Sequence, residues 1–165
     1  MENKIKKAFV FDISGAAALI AAMIYFLIFA CVIFPQYALS DAGQTSENIV
    51  QAFGVALGSA IAVVVLITIF VIICAVGLVV GVFLIVSACK RKKYLLQNDF
   101  AAFRKKFNVF LTVGLVADFV VTAFCVYLAF SPFSYYLPVA VVCVVSLVLT
   151  GVGFYLSRDA ARENV

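Results

Sequence analysis

Asp118 is the residue of this 165-residue chain whose type and position most directly suggest chemistry, because the apolar stretch 107–130 around it carries no other charged side chain. An ionised group at the centre of a membrane-spanning helix costs about 2.5–3.5 kcal/mol on insertion scales, so such a carboxyl must face protein, carry a proton or meet a partner. On a helix, Gly114, Thr122 and Cys125 share its face. Counting depth along the other apolar stretches brings Tyr25, Thr68 or Cys74, and Ser146 or Thr150 to the same height. The spacing predicts an intramembrane polar site of Asp118, Tyr25, Thr122, Ser146 and Thr150. Its chemistry is either protonation and release coupled to a crossing proton or cation, or a neutral acid making one interhelical hydrogen bond of about 0.6 kcal/mol. One embedded acid with neither a second acid nor a counter-ion favours the second. Asp12, near the start of the first apolar stretch, is expected within reach of water and basic side chains.

The other chemistry-bearing set is cationic. The segment from Lys90 to Phe107 holds Lys90, Arg91, Lys92, Lys93, Arg104, Lys105 and Lys106 against one acid, Asp99. Such a patch suits anionic lipid headgroups or an acidic partner, although basic segments also flank spans merely to set orientation. Leu96, Phe100, Phe103 and Phe107 would form one apolar helical stripe lying in the headgroup layer. The net charge of +4 is carried by residues beside apolar runs, which is better explained by membrane orientation than by nucleic acid.

Five cysteines, Cys31, Cys74, Cys89, Cys125 and Cys143, all fall within or at the edge of apolar stretches, as small packing residues do. Cys89, beside the basic segment, is the one positioned for lipidation. The chain has no histidine, so zinc-type spacings are absent, as are the HExxH, GxSxG and P-loop patterns. No cofactor or metal is expected, and the chain reads as non-enzymatic.

These residues must be positioned by membrane helices. With 67% hydrophobic and 12% charged residues, the composition lies far from that of soluble proteins. All twelve Lys and Arg fall in three clusters, around 4–7, 90–106 and 158–162, and the connections between the other ends of the apolar stretches have none. The positive-inside bias then places both termini and segment 90–106 in the cytoplasm. The first span is expected at 13–34, where 22 residues exceed a signal peptide's apolar region and suit a permanent crossing.

From Asn48 to Cys89 no residue is charged, and as one helix this run measures about 63 Å. A hairpin would place seven basic charges outside against the bias. The expectation is one tilted crossing at 59–89 with 49–58 as an outer helical extension. Spans at 107–130 and 137–157 complete the set, leaving external loops 35–58 and 131–136 and a basic cytoplasmic loop 90–106. Tyr37, Tyr135 and Tyr136 at one boundary and Tyr94 and Tyr155 at the other suit the interfacial positions aromatic residues prefer.

Close packing is foreshadowed by small residues four apart: Ser14, Ala18 and Ala22, then Gly54, Gly58 and Ala62, then Gly77 and Gly81. The fold expected is an all-α integral membrane protein, a bundle of four transmembrane helices with both termini cytoplasmic, in a cell membrane. The function expected is that of a structural or accessory subunit. It would act through helix packing and the basic loop, with a second copy or a larger membrane protein as partner. The alternative is a small proton- or cation-coupled transporter or channel built on Asp118.

Overall fold

A computed structural model of the chain describes residues 2–33, 49–97, 99–129 and 137–162, and within them leaves out the side chains of residues 2, 33, 49–57, 59, 102 and 104. The described elements are all helical. Helix α1 runs Glu2–Ile28 and continues into a π-helical turn, Phe29–Ile33; α2 is Ile49–Leu96, α3 Phe100–Ala129 and α4 Leu137–Arg162. Four helical stretches are long and apolar enough to cross a membrane, Asn3–Val32, Ala60–Leu96, Lys105–Ala129 and Leu137–Arg162. The chain therefore has the character of a multi-pass membrane protein. Residues 35–48 of the expected loop 35–58, and the whole of the expected loop 131–136, lie outside the described residues, while 49–58 belong to α2.

The elements follow from composition. No proline interrupts residues 49–96, and α2 is unbroken over 48 residues, so no hairpin divides it. Pro138 sits in the first turn of α4, where a missing N–H costs no helical bond. The segment expected as loop 90–106 is instead helical on both sides of a tight turn. Lys90–Lys93 belong to α2 and residues 104–106 to α3. The stretch contains neither Gly nor Pro, so both flanks of the turn continue as helix. The reversal is closed by Gln97 N donating to Lys93 O at 3.0 Å and Asp99 N to Tyr94 O at 3.1 Å. Asp99 O then accepts from Phe103 N at 3.0 Å to start α3.

The described chain divides into two compact units, one of residues 1–23 and 76–165, the other of residues 24–75. In the first, α1 meets α2 where Gly77 and Gly81 face Met23 and Ile20, and α2 meets α3 where Leu84 and Phe83 face Gly114. Helix α3 meets α4 through Phe107 and Phe154, with ring centroids 5.9 Å apart, and α4 returns to α1 through Thr150 and Gly15. Numbers rise along one helix as they fall along its neighbour, Met23 meeting Gly77 and Ile20 meeting Gly81, Phe107 meeting Phe154 and Thr122 meeting Cys143, so these neighbours run antiparallel. This ring of contacts is compatible with a four-helix bundle.

Inside it lie small and polar residues such as Ala16, Gly81, Ser146 and Gly153, together with Leu19, Leu84 and Phe154. Outside lie Val79, Val82, Val113, Val116, Val145 and Val148. Bulky aliphatics facing outward and small residues facing inward are the arrangement that lets helix backbones approach where lipid supplies no hydrophobic driving force. In the second unit, Phe26 packs on Phe70 with centroids 5.3 Å apart.

Candidate functional site

Two polar layers occupy the interior of the first unit. One joins α1, α2 and α4. Asp12 is 3% exposed and Arg91 1% exposed, and Arg91 Nη2 lies 2.9 Å from Asp12 Oδ2. Arg91 Nη1 donates to Ser157 Oγ at 3.3 Å, and Ser157 Oγ donates to Gly153 O at 2.9 Å. The guanidinium carbon stands 3.7 Å from the centroid of the Phe154 ring, the stacked geometry a planar cation adopts on an aromatic face.

The ion pair is close but not fully hydrogen bonded. Arg91 Nε and Nη2 and Asp12 Oδ1 have no hydrogen-bond partner. The glycine of α4 makes room for this layer. A Cβ on Gly153 would collide with Asp12 Oδ1, would lie 2.6 Å from its Cγ and 3.0 Å from its backbone N.

The second layer lies one turn further along α1 and surrounds Asp118, which is 0% exposed. The hydroxyls of Thr150 and Thr122 flank its carboxyl. Each hydroxyl also lies against a backbone carbonyl. Thr150 Oγ1 donates to Ser146 O at 2.8 Å, Thr122 Oγ1 to Cys143 O at 3.3 Å, and Ser146 Oγ to Gly15 O at 2.8 Å. The two hydroxyls are thus shared between those carbonyls and the Asp118 carboxyl, whose oxygens lack a partner of good geometry. Gly15 permits the close approach of α1, since a Cβ there would come within 2.6 Å of Thr150 Oγ1. The thiols of Cys125 and Cys143 adjoin each other in the same region, and both residues are buried.

The structure thus brings together four of the five residues expected around the embedded acid: Asp118, Thr122, Ser146 and Thr150. Tyr25 belongs to the second unit. It is 49% exposed, because Met23 and Phe26 take the buried face of that part of α1. Depth counting assigns height along a helix but not rotation about it. Thr68 likewise faces outward and spends its hydroxyl on Val64 O of its own helix.

Among the seven basic residues expected to meet headgroups, Arg91 is a correction. Its charge is enclosed against Asp12 rather than offered to a ligand. Lys90, Lys93, Lys105 and Lys106 are exposed, Lys92 is half-buried, and the Arg104 side chain lies outside the described residues. Lys92 Nζ sits 4.1 Å from the Phe9 ring centroid, and Lys106 Nζ donates to Tyr94 OH at 2.9 Å. The stripe expected in the headgroup layer also divides, since Phe103 and Phe107 are buried and only Leu96 is largely exposed.

Two clefts open near these cations. One of about 410 Å³ is lined by Phe9, Cys89, Lys92, Lys93, Leu96 and Gln97. The other, about 370 Å³, is lined by Phe103, Phe107, Asn108, Arg158, Ala161 and Arg162. Lys4 and Asp159 are paired at 3.1 Å. These contacts gather residues of the three basic clusters at one end of the first unit.

Of the expected packing residues, Gly77 and Gly81 are buried against α1, where a Cβ would collide with Met23 Sδ or lie 2.6 Å from Ile20 Cγ1. Gly58 has nothing near it and Ala62 is exposed, while Gly54 lies outside the described side chains. Asp12, expected within reach of water and basic side chains, meets the basic Arg91 but is buried away from water, and sequence reasoning overlooked Gly15, Gly153 and Ser157. The available signal was the four-three-four spacing of Ser146, Thr150, Gly153 and Ser157, a small polar stripe along one face of α4.

No protein-family model, no curated protein and no solved structure matches the chain.

Proposed function

We propose that the chain is a non-enzymatic, four-span membrane protein with both ends cytoplasmic, acting as a structural or accessory subunit through its outer helix faces. The orientation is supported by the meeting of residues from all three basic clusters at one end of the first unit, the pattern that positive-inside bias produces. The observation that carries the assembly reading is the bare face of α2 in the second unit. Ile61, Val64, Val65, Leu66, Ile69 and Ile72 all point outward. A neighbouring membrane helix, from a second copy or a larger membrane protein, would pack there by shape.

The test is substitution on that face. Val64→Trp and Ile72→Trp should reduce recovery of the protein in a high-mass complex from mildly solubilised membranes while leaving its helicity and thermal transition unchanged. Migration of the native protein as a monomer, unaltered by either substitution, would count against the reading.

A second reading, a proton- or cation-coupled pathway, is favoured by one observation. The first unit encloses a second acid, Asp12, and a cation, Arg91, in addition to Asp118. Those are the groups a lone embedded acid lacked. Flux driven by a pH gradient in proteoliposomes should then disappear in Asp118→Asn at equal incorporation; equal flux with and without the carboxylate rejects Asp118 as the coupling group.

A further inference from the structure

Helix packing and the buried polar layers leave unused the cleft of about 410 Å³ between α1 and α2 at the basic end of the first unit. Cys89, Lys92, Lys93, Leu96 and Gln97 line it from one face of α2, at the three- and four-residue spacings that align side chains on a helix. Phe9 of α1 lines it from the other side. Its place follows from the register of the two helices. Ile20 meets Gly81 and Asp12 meets Arg91, and Phe9 accordingly meets Lys92, whose Nζ stands 4.1 Å from the ring centroid. The ring holds that ammonium beside the cleft.

The charge here is not consumed internally. Arg91 turns inward to Asp12, while Lys93 is exposed and Lys92 half-buried. Neither lysine enters an ion pair among the described residues, and the described lining includes no acid. An apolar row continues from the cleft along the same face of α2. Counting back from Cys89 by three, four and three residues reaches Val86, Val82 and Val79, all of which point outward. They lie within the membrane-spanning stretch Ala60–Leu96, and the lysines lie at its end. Cations at headgroup depth above a bare aliphatic row suit a ligand with an anionic head and an apolar tail.

Inorganic phosphate would answer the ammoniums but leave Leu96 and the valine row uncovered. An acidic protein segment would leave the same row to lipid. A zwitterionic phospholipid brings its own cation against Lys92 and Lys93. An acidic phospholipid supplies both parts without that repulsion, and lysines, as compact charges with rotatable donors, can follow its phosphate.

We infer that the cleft between Phe9 and the α2 face from 89 to 97 binds one acidic phospholipid, its phosphate held by Lys92 and Lys93 and one acyl chain laid along Val86, Val82 and Val79. The site goes beyond the assembly reading and does not depend on it. It is separate from the cleft lined by Arg158 and Arg162.

Cys89 lines the site and reports its occupancy. The test uses the full chain with Ala101→Cys added as a reference, at an exposed position of α3 at the same end. Nanodiscs of phosphatidylcholine alone, or of equal parts phosphatidylcholine and phosphatidylglycerol, are treated with N-ethylmaleimide, and the alkylation rate of each cysteine is read from its peptide by mass spectrometry. Taking the ratio of the two rates offsets the effect of surface charge on both thiols. Phosphatidylglycerol should lower the ratio of Cys89 to the reference severalfold. Lys92→Gln with Lys93→Gln should abolish that fall, whereas Arg158→Gln with Arg162→Gln, which removes the same charge from the other cleft, should not. The comparison between lipids is made within one folded protein, so a variant that folds poorly does not obscure it. Equal ratios in the two discs, or the same fall in all three proteins, would overturn the site while leaving the assembly reading untouched. Inorganic phosphate or a polyglutamate peptide added to phosphatidylcholine discs should leave the ratio unchanged. A fall with either as large as that with phosphatidylglycerol would overturn the lipid as occupant, in favour of free phosphate or an acidic protein segment.

Discussion

Arg91 Nη2 stands 2.9 Å from Asp12 Oδ2 with both side chains almost wholly enclosed, so a residue of a basic cluster has become an internal tie between α2 and α1. A buried pair is costly to form and more costly to break singly, because the surviving charge is stranded. Arg91→Met and Asp12→Leu should each destabilise the fold by about 3–5 kcal/mol. The double replacement should lose far less than the sum of the two. Unfolding of the four proteins in a graded denaturing detergent measures this cycle, and additive losses would show that the pair is not coupled.

The glycines of the first unit should differ sharply by position. Gly153→Ala places a methyl into Asp12, and Gly15→Ala one within 2.6 Å of the Thr150 hydroxyl. Each should cost about 1–3 kcal/mol, the usual range for overpacking. Gly58→Ala meets nothing within 4 Å. It should be neutral, or stabilising by up to about 1 kcal/mol from helix propensity. The same unfolding assay ranks the three.

Cys89 is exposed, whereas Cys74, Cys125 and Cys143 are buried. If the basic end is cytoplasmic, a variant retaining only Cys89 should react with a membrane-impermeant maleimide in inside-out vesicles and resist it in right-side-out ones. The opposite sidedness would invert the proposed topology. Single-cysteine variants retaining any of the three buried thiols should react only after unfolding.

The cleft lined by Arg158 and Arg162 has an apolar floor of Phe103 and Phe107, a combination suited to a lipid phosphate with its acyl chain alongside. Arg158→Gln together with Arg162→Gln should lower the amount of anionic phospholipid retained by the purified protein severalfold relative to zwitterionic lipid. Native mass spectrometry from mixed-lipid nanodiscs counts the bound molecules. Equal retention would assign the anionic lipid to the lysines of α2 and α3 instead.

The amino-acid sequence alone determined the solvent of this protein and its long helices. Hydropathy accumulates residue by residue along a single segment, so apolar runs ending at charges, Pro35 or polar stretches are legible without knowing what they touch. It also singled out Asp118, Thr122, Ser146 and Thr150, because height in a span is a matter of counting. Tertiary structure decided the rest. Whether Tyr25 turns outward, and whether Arg91 turns inward to Asp12, depends on the rotation of each helix about its axis and on the register between neighbours. Gly15, Gly77, Gly81 and Gly153 influence both by allowing backbones to meet at particular heights. That information belongs to pairs of helices and is carried by no single stretch of sequence.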